Sequence, residues 1–276
     1  MNLSFPINSI ELIIEKEADY KITPLYSTSM LQISETDFSI TIDGVAKYRV
    51  QNGNKVWITP CQDADQSSIQ LFLNGSVFGA VLHQRGIIPF HGCSFEYGGK
   101  GVLICGHSGT GKSSVTAAFC QKGAHFINDD ITPVSIKGSE ISIIPIHSQM
   151  KLWDDSMKAL EIETNNLVQI RPSMEKFYVP FSNTYDTNLH LDTLLILDTH
   201  ECDEYEANRP IGMGKYNLLR KNIYRKMYLR GMPKTAKNLF ENLFALTEIV
   251  KVIHILRPIT SDINSTMEFI RKQLEP

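Results

Sequence analysis

The sequence contains no apolar run close to the ~20 residues that a membrane-spanning helix needs. Its first residues lack a basic segment followed by an apolar one, so no secretory signal is indicated. Internal repeats and low-complexity segments are missing as well. From these absences we expect a cytoplasmic protein with no membrane partner.

Cysteine is sparse and scattered. None of the five cysteines belongs to a C-x-x-C pair, so neither a zinc cluster nor a disulfide framework is indicated. We expect ordinary reduced thiols in a reducing compartment.

The sequence also lacks a large excess of charge of either sign. The 276 residues carry 27 basic and 30 acidic side chains, and 42% are hydrophobic, which argues against disorder and fits one or two globular domains. The balance hides one asymmetry, because residues 209–237 hold nine lysines and arginines and no acid. Without these nine, 18 basic residues face 30 acidic ones, a net charge of −12.

Strand patterns dominate the N-terminal part. Runs rich in β-branched and aromatic residues at 10–14, 38–42 and 55–58, with turn residues between them, predict a small antiparallel region over residues 1–75. Apolar residues at helical spacing predict a helix over 68–82. We assign residues 1–75 to a β-rich accessory region and 76–276 to a catalytic domain.

The rest of the chain alternates strands and helices, which indicates an α/β fold. A hairpin is predicted across Gly98-Gly99. Gly123 is expected to end the helix that is predicted at 112–122. The predicted strands are 87–90, 93–97, 101–105, 124–127, 131–136, 141–144, 193–197 and 250–256, and the predicted helices are 112–122, 216–230, 235–246 and 263–274.

The strongest motif is a phosphate-binding loop. Residues 106–113, GHSGTGKS, match G-x-x-x-x-G-K-[ST] between an apolar strand and a helical stretch. Its glycines let backbone N–H groups approach phosphate, Lys112 can reach the outer phosphates, and the Ser113 hydroxyl can bind Mg²⁺. The predicted nucleotide-binding residues are Gly106, His107, Ser108, Gly109, Thr110, Gly111, Lys112, Ser113 and Ser114.

An acidic pair, Asp129-Asp130, follows the strand after the loop helix. Ligands bind at the carboxyl ends of strands in open α/β sheets, so we expect the pair beside the phosphates. One carboxylate can hold Mg²⁺ and the other can accept the proton of an attacking hydroxyl, provided that the strand breaks there. A solvated turn is the alternative. His91, on the neighbouring strand, is either a catalytic group or a satisfied core histidine.

These segments resemble the catalytic domain of bacterial HPr kinase/phosphorylase and its relatives. The resemblance covers residues 70–276 and is most specific over 86–130, where it rests on PFHG at 89–92, GVLICGHSGTGKSS at 101–114, KGA at 122–124 and NDD at 128–130. It extends to PI at 145–146, KLW at 151–153 and ILRP at 255–258.

The resemblance implies a phosphoenolpyruvate-carboxykinase-like P-loop core that transfers a phosphoryl group from ATP, with Mg²⁺, to a serine hydroxyl. It implies Asp129 as the catalytic carboxylate, Asp130 with Ser113 at the metal, and His91 and Lys112 as further catalytic residues. The E-x-R-G signature of the HPr enzymes and a match to their N-terminal domain are missing, which argues against HPr as substrate. Shorter relatives act on precursor peptides, including those of lasso peptides.

Three functions follow from these motifs. The first is a serine kinase acting on a peptide or protein, the second a kinase for a small hydroxylated molecule such as free serine, and the third a nucleotide-binding switch without an acceptor. The basic stretch at 209–237 is either a solvated helix face or a docking surface for an acidic peptide, and no nucleic-acid motif accompanies it. Arg171 and Lys176 are candidate phosphate contacts or solvated charges. Self-association into a homo-oligomer is left open.

Overall fold

The computed structural model describes residues 3–15, 20–146, 149–163, 167–171 and 174–275. These residues form a mixed α/β structure with three β-sheets. The chain packs as two compact units, residues 1–89 with 224–242, and residues 90–223 with 243–276. The boundary at residue 75 falls inside the first unit, and the functional roles assigned to its two sides stay predictions. Among the described residues, no helix is long and apolar enough to cross a membrane.

The first unit contains a six-stranded sheet in the order β1-β6-β5-β4-β3-β2. Its strands are β1 (Glu11–Ile14), β2 (Tyr26–Ser27), β3 (Leu31–Ile33), β4 (Asp37–Ile42), β5 (Ala46–Gln51) and β6 (Lys55–Pro60). The three predicted strands are confirmed. The purely antiparallel arrangement is wrong, because β1 pairs with β6 in parallel.

One helical run follows this sheet, as the apolar spacing predicted. It consists of α1 (Gln66–Phe72), a π-helical turn (Leu73–Val77) and α2 (Phe78–Gln84). The run begins at Asp65, whose carboxylate accepts a 2.8 Å hydrogen bond from the backbone N–H of Ser68, as an N-cap residue should.

Eleven further strands make up the other two sheets. They are β7 (Ile88–Tyr97), β8 (Lys100–Cys105), β9 (His125–Asn128), β10 (Ile131–Lys137), β11 (Glu140–Ile143), β12 (Gln149–Trp153), β13 (Val168–Arg171), β14 (Met174–Pro180), β15 (Leu189–His200), β16 (Glu206–Asn208) and β17 (Lys251–Pro258). The larger sheet has the order β11-β10-β7-β8-β15-β17-β16, with β9 paired to β7. The smaller sheet has the order β12-β14-β13.

The remaining helices are α3 (Lys112–Gln121), α4 (Asp154–Ala159), α5 (Gly212–Lys221), α6 (Pro233–Ile249) and α7 (Ile263–Leu274), with a 3₁₀ turn at Lys226–Gly231. Gly123 follows α3 with a φ of +97°, which confirms it as the residue that ends this helix. Phe119 of α3 is buried and stacks on Phe95 of β7 at 4.7 Å between ring centroids, which anchors α3 on the sheet.

The sheet topology places the phosphate-binding loop, residues 106–113, at the carboxyl end of β8, next to β15. β8 is antiparallel to β7 through the predicted Gly98-Gly99 turn and parallel to β15, which in turn is parallel to β17. The carboxyl ends of these three parallel strands therefore meet at one edge, where the loop begins. β7 runs without a break, so the two separate strands predicted at 87–90 and 93–97 are wrong.

The predicted helix over 216–230 is also wrong. Helix α5 ends at Lys221, and Arg225 has a left-handed φ of +50°. Backbone pairing explains the break: the carbonyl of Asn222 accepts from His91 N at 2.8 Å, and Tyr224 N donates to the carbonyl of Pro89 at 2.7 Å. These bonds to β7 replace those that would continue the helix. The predicted helices at 235–246 and 263–274 are confirmed.

Candidate active site

The phosphate loop lies between β8 and α3, as predicted. Gly106 adopts a φ of +148°, and a Cβ built there would stand 2.2 Å from the carbonyl oxygen of Leu197, so only glycine fits. Gly109 and Gly111 also have positive φ, at +87° and +94°. The turn therefore depends on all three glycines of the motif.

Lys112 is buried, with 8% of its surface exposed. Its Nζ donates to the carbonyl oxygens of Gly106 at 3.0 Å and His107 at 2.9 Å, which holds the ammonium over its own loop. Arg257 supports the loop from β17, because its Nε donates to the carbonyl of Thr110 at 3.0 Å. The cation that would meet phosphate is thus fixed in place.

Asp129 lies just past the end of β9 and is 4% exposed. Its Oδ1 accepts a 2.8 Å hydrogen bond from Ser113 Oγ and a 3.0 Å one from Cys93 Sγ. Its Oδ2 accepts from the backbone N of Lys151 at 2.9 Å. The loop hydroxyl expected at the metal and the first carboxylate of the pair are therefore in direct contact.

Asp130 points elsewhere because the strand breaks at this residue. Its φ of +69° is left-handed, and its carboxylate Oδ2 lies 3.2 Å from Lys151 Nζ. Burial raises the pKa of Asp130, but the ammonium of Lys151 and the imidazolium that His91 forms in acid outweigh it, so the pKa lies below its usual value. Asp130 is therefore ionised at neutral pH.

His91 stands on β7 against Asp130. Its Nδ1 lies 2.9 Å from the backbone carbonyl of Asp130 and 3.4 Å from Asp130 Oδ1. A carbonyl can only accept, so Nδ1 carries the hydrogen and Nε2 of the neutral ring is an acceptor. Burial is the main reason that the pKa of His91 lies below its usual value, despite the neighbouring carboxylate. The ring is neutral at pH 7.

Cys93 lies two residues beyond His91 on the same strand, so both side chains share one face of β7. Besides its bond to Asp129, its Sγ lies 3.5 Å from Ser113 Oγ. Burial and the nearby Asp129 carboxylate raise the pKa of this thiol well above its usual value, which keeps it a neutral hydrogen-bond donor. All five cysteines lie in the described part of the chain and are free thiols, as expected.

One cavity of about 330 Å³ brings these groups together. Its predicted lining residues are His91, Ser108, Gly109, Gly111, Lys112, Ser113, Ser114, Asp129, Asp130 and Lys176. Gly106, His107 and Thr110 shape the loop without lining the cavity. The side chain of Arg171 lies outside the described residues, so its predicted phosphate contact cannot be placed.

Six lining residues received no role from the sequence: Cys93, Lys151, Leu152, Trp153, Asp155 and Ser156. Lys151 is 22 positions beyond Asp129 in the sequence, and only the fold brings the two together. The signal for Cys93 was available, because strand residues at i and i+2 face the same side.

The basic stretch at 209–237 does not form one helix. Its residues are divided between α5 in the second unit and the 3₁₀ turn with the start of α6 in the first. Arg225 donates to Ser76 Oγ at 3.0 Å, so this guanidinium has a structural partner. The docking role of the stretch stays a prediction.

The oxygen ligands at the loop fit Mg²⁺. Among the described residues, no group of three or more His, Cys, Asp or Glu could hold a metal ion. Mg²⁺ in nucleotide sites does not need such a group, because it binds one or two carboxylates, water and substrate phosphates. The Ser113 hydroxyl with the Asp129 carboxylate supplies a donor pair of that kind.

Comparisons with known proteins leave the family open. No family model and no curated protein matches the sequence. Among solved structures, the chain is similar to the HPr(Ser) kinase/phosphatase of Coxiella burnetii, at a TM-score of 0.36 and 12% identity over 67% of this chain and 90% of that one. At this TM-score the likeness carries no argument about the fold or the activity.

Proposed function

We propose that this protein is an ATP-dependent kinase that transfers a phosphoryl group to a serine hydroxyl of a peptide or protein. The observation that carries the proposal is the 2.8 Å hydrogen bond between Ser113 of the phosphate loop and Asp129 of the acidic pair. It joins the two parts that phosphoryl transfer needs, a phosphate cradle and carboxylates, in one cavity with Asp130 and His91.

The loop residues have the binding role. Backbone N–H groups of residues 106–114 would surround the phosphates, and Lys112 would exchange its two loop carbonyls for phosphate oxygens. Ser113 and Asp129 would hold Mg²⁺, which when bound neutralises charge on the phosphates. Cys93 and the backbone N of Lys151 orient Asp129 through their hydrogen bonds.

The contacts favour a division of roles that differs from the sequence prediction. Asp129 touches the hydroxyl of Ser113, whereas Asp130 lies by His91 and Lys151. We therefore assign Asp129 to the metal side and Asp130 to the acceptor hydroxyl, whose proton it would accept. His91 keeps Asp130 oriented through the backbone carbonyl. Rate enhancement would come from positioning and electrostatics.

The acceptor is the least constrained part of the proposal. A ribosomally made precursor peptide is the class that the sequence resemblance implies, and free serine is the small-molecule alternative. To test this, the full chain is incubated with Mg²⁺ and γ-labelled ATP and with serine peptides, HPr or free serine in turn. Mass spectrometry then locates the phosphate.

We expect label on a peptide or protein serine, and no label with Lys112→Ala. Phosphorylation of free serine at ordinary concentrations would favour the small-molecule kinase instead. Full transfer by Lys112→Ala would refute the site.

A further inference from the structure

Trp153 is an unusual residue for the cavity that it lines. The cavity is otherwise surrounded mostly by lysine, aspartate, serine and glycine, yet 48% of Trp153 is exposed there. Large exposed aromatic groups at a concave site often mark ligand contact. The chain has two tryptophans, and the other, Trp57, belongs to the first unit.

Trp153 lies near the end of the phosphate loop at which helix α3 begins. Lys151, which contacts the acidic pair, and Trp153 lie two residues apart on β12, so they share a face and stand about 7 Å apart. Three residues after Trp153, in helix α4, Ser156 Oγ lies 2.8 Å from Ser114 Oγ in the first turn of α3. Trp153 therefore lies next to the part of the loop beyond Lys112 and Ser113.

This order along the cavity matches the order of groups in a nucleotide. Lys112 and Ser113 serve the outer phosphates and the metal. Ser114 is farther along the helix, so the inner phosphate and the nucleoside belong at its side. The acceptor hydroxyl must instead reach Asp130 and His91.

We propose that Trp153 is the stacking platform for the base of the bound nucleotide, with Asp155 and Ser156 beside the ribose. This inference rests on the proposed nucleotide binding. Stacking on an aromatic ring suits any base, because every base has a π-face. Lys176, opposite Trp153 on β14, holds its Nζ 5.4 Å from the centroid of the Trp153 ring and adds a cation beside the nucleotide.

Fluorescence tests the placement directly. In a Trp57→Phe background, Trp153 is the single tryptophan of the full chain. We expect Mg²⁺-ATP to change its emission and Mg²⁺-tripolyphosphate, which lacks the nucleoside, to leave it nearly unchanged. An equal change with both ligands would overturn the stacking role. A change with the serine peptide but not with ATP would overturn it too, since it would place the acceptor at Trp153.

Affinity gives a second readout. Trp153→Ala should raise the Kd for Mg²⁺-ATP about 5- to 100-fold and leave the Kd for tripolyphosphate within about twofold, while Trp153→Phe should keep most of the ATP affinity. Equal losses for both ligands, or no loss for ATP, would refute the subsite alone. Wild-type protein that binds neither ligand would refute the proposed function together with the subsite.

Discussion

At the scale of single residues, the two adjacent aspartates contact different partners. The break of the strand at Asp130, with its φ of +69°, turns the second carboxylate away from the first, so neighbouring residues meet different partners. Asp129 meets the hydroxyl of Ser113 and the thiol of Cys93, and Asp130 meets Lys151 and His91.

The two matched amide variants separate these roles. Asp129→Asn should raise the Mg²⁺ concentration for half-maximal activity by about 10- to 100-fold, because it weakens the metal pair. Asp130→Asn should lower transfer by about 10²- to 10⁴-fold at saturating Mg²⁺ and ATP, because it removes the proton acceptor. Transfer rates across a Mg²⁺ titration check both. The reverse pattern would restore the roles predicted from the sequence.

The Lys151–Asp130 pair gives a pH-dependent prediction. The pKa of Asp130 is lowered in the folded protein, so the stability it contributes is present at neutral pH and is lost as the pH falls through that lowered pKa. Lys151→Met should destabilise the protein at pH 7 by about 1 kcal/mol, since water screens this partly exposed carboxylate. The deficit should shrink in acid, below about pH 4.

Urea unfolding of wild type and variant at several pH values measures this difference. Lys151→Arg, which keeps the charge, is the matched control and should show a smaller deficit. A deficit for Lys151→Met that stays constant from neutral pH down into acid would contradict the ion-pair explanation.

Much of the site at this scale was predictable from the sequence. The loop residues, the acidic pair and His91 follow from local patterns, since strand, loop and helix are continuous in the chain. Lys151 and Trp153 could not be placed, because strand β12 reaches the loop only through tertiary packing. The division of labour between Asp129 and Asp130 depends on a backbone angle that residue types do not fix.

At the scale of elements, the phosphate loop is held by its contacts with neighbouring strands. Gly106 packs against the carbonyl of Leu197 on β15, and Arg257 of β17 binds the carbonyl of Thr110. The two strands next along the sheet thus fix the shape of the loop before any ligand arrives.

Two glycine substitutions in this loop should differ in their cost. Gly106→Ala should destabilise the protein by about 3 kcal/mol or more, because its Cβ would meet a backbone oxygen at 2.2 Å. Gly109→Ala should cost about 1–2 kcal/mol, since it has a positive φ but no atom within 4 Å. Thermal unfolding should show Tm falling by about 6–12 °C for Gly106→Ala and by about 2–8 °C for Gly109→Ala. Equal shifts would contradict the packing argument.

The hydrophobic pattern over residues 216–230 did not predict the position at which helix α5 ends. Tyr216, Leu219 and Ile223 are buried and recur at helical spacing, which is why the sequence predicts a helix there. The spacing of apolar residues does not show that the backbone leaves the helix and pairs with β7 at Asn222 and Tyr224. Helix α7 has the bounds that the sequence predicted, residues 263–274, and α6 extends a few residues beyond its predicted range of 235–246.

At the scale of the whole molecule, the nearly neutral charge conceals both an acidic pair, of which Asp129 is buried, and a basic stretch. The acidic pair lines the cavity of the second unit, and the basic residues are divided between the two units. A nearly neutral net charge is therefore compatible with a local cluster of charged side chains around the loop.

The most direct test follows the γ-phosphate of labelled ATP with the full chain, Mg²⁺ and a serine-peptide library, and compares label on the peptide with label released as inorganic phosphate. The proposed function predicts that most label reaches a serine, and that Asp130→Asn removes the transfer while Mg²⁺-ATP still binds. Label that appears only as inorganic phosphate, at the same rate with and without the acceptor library or free serine, would contradict it and indicate a nucleotide switch.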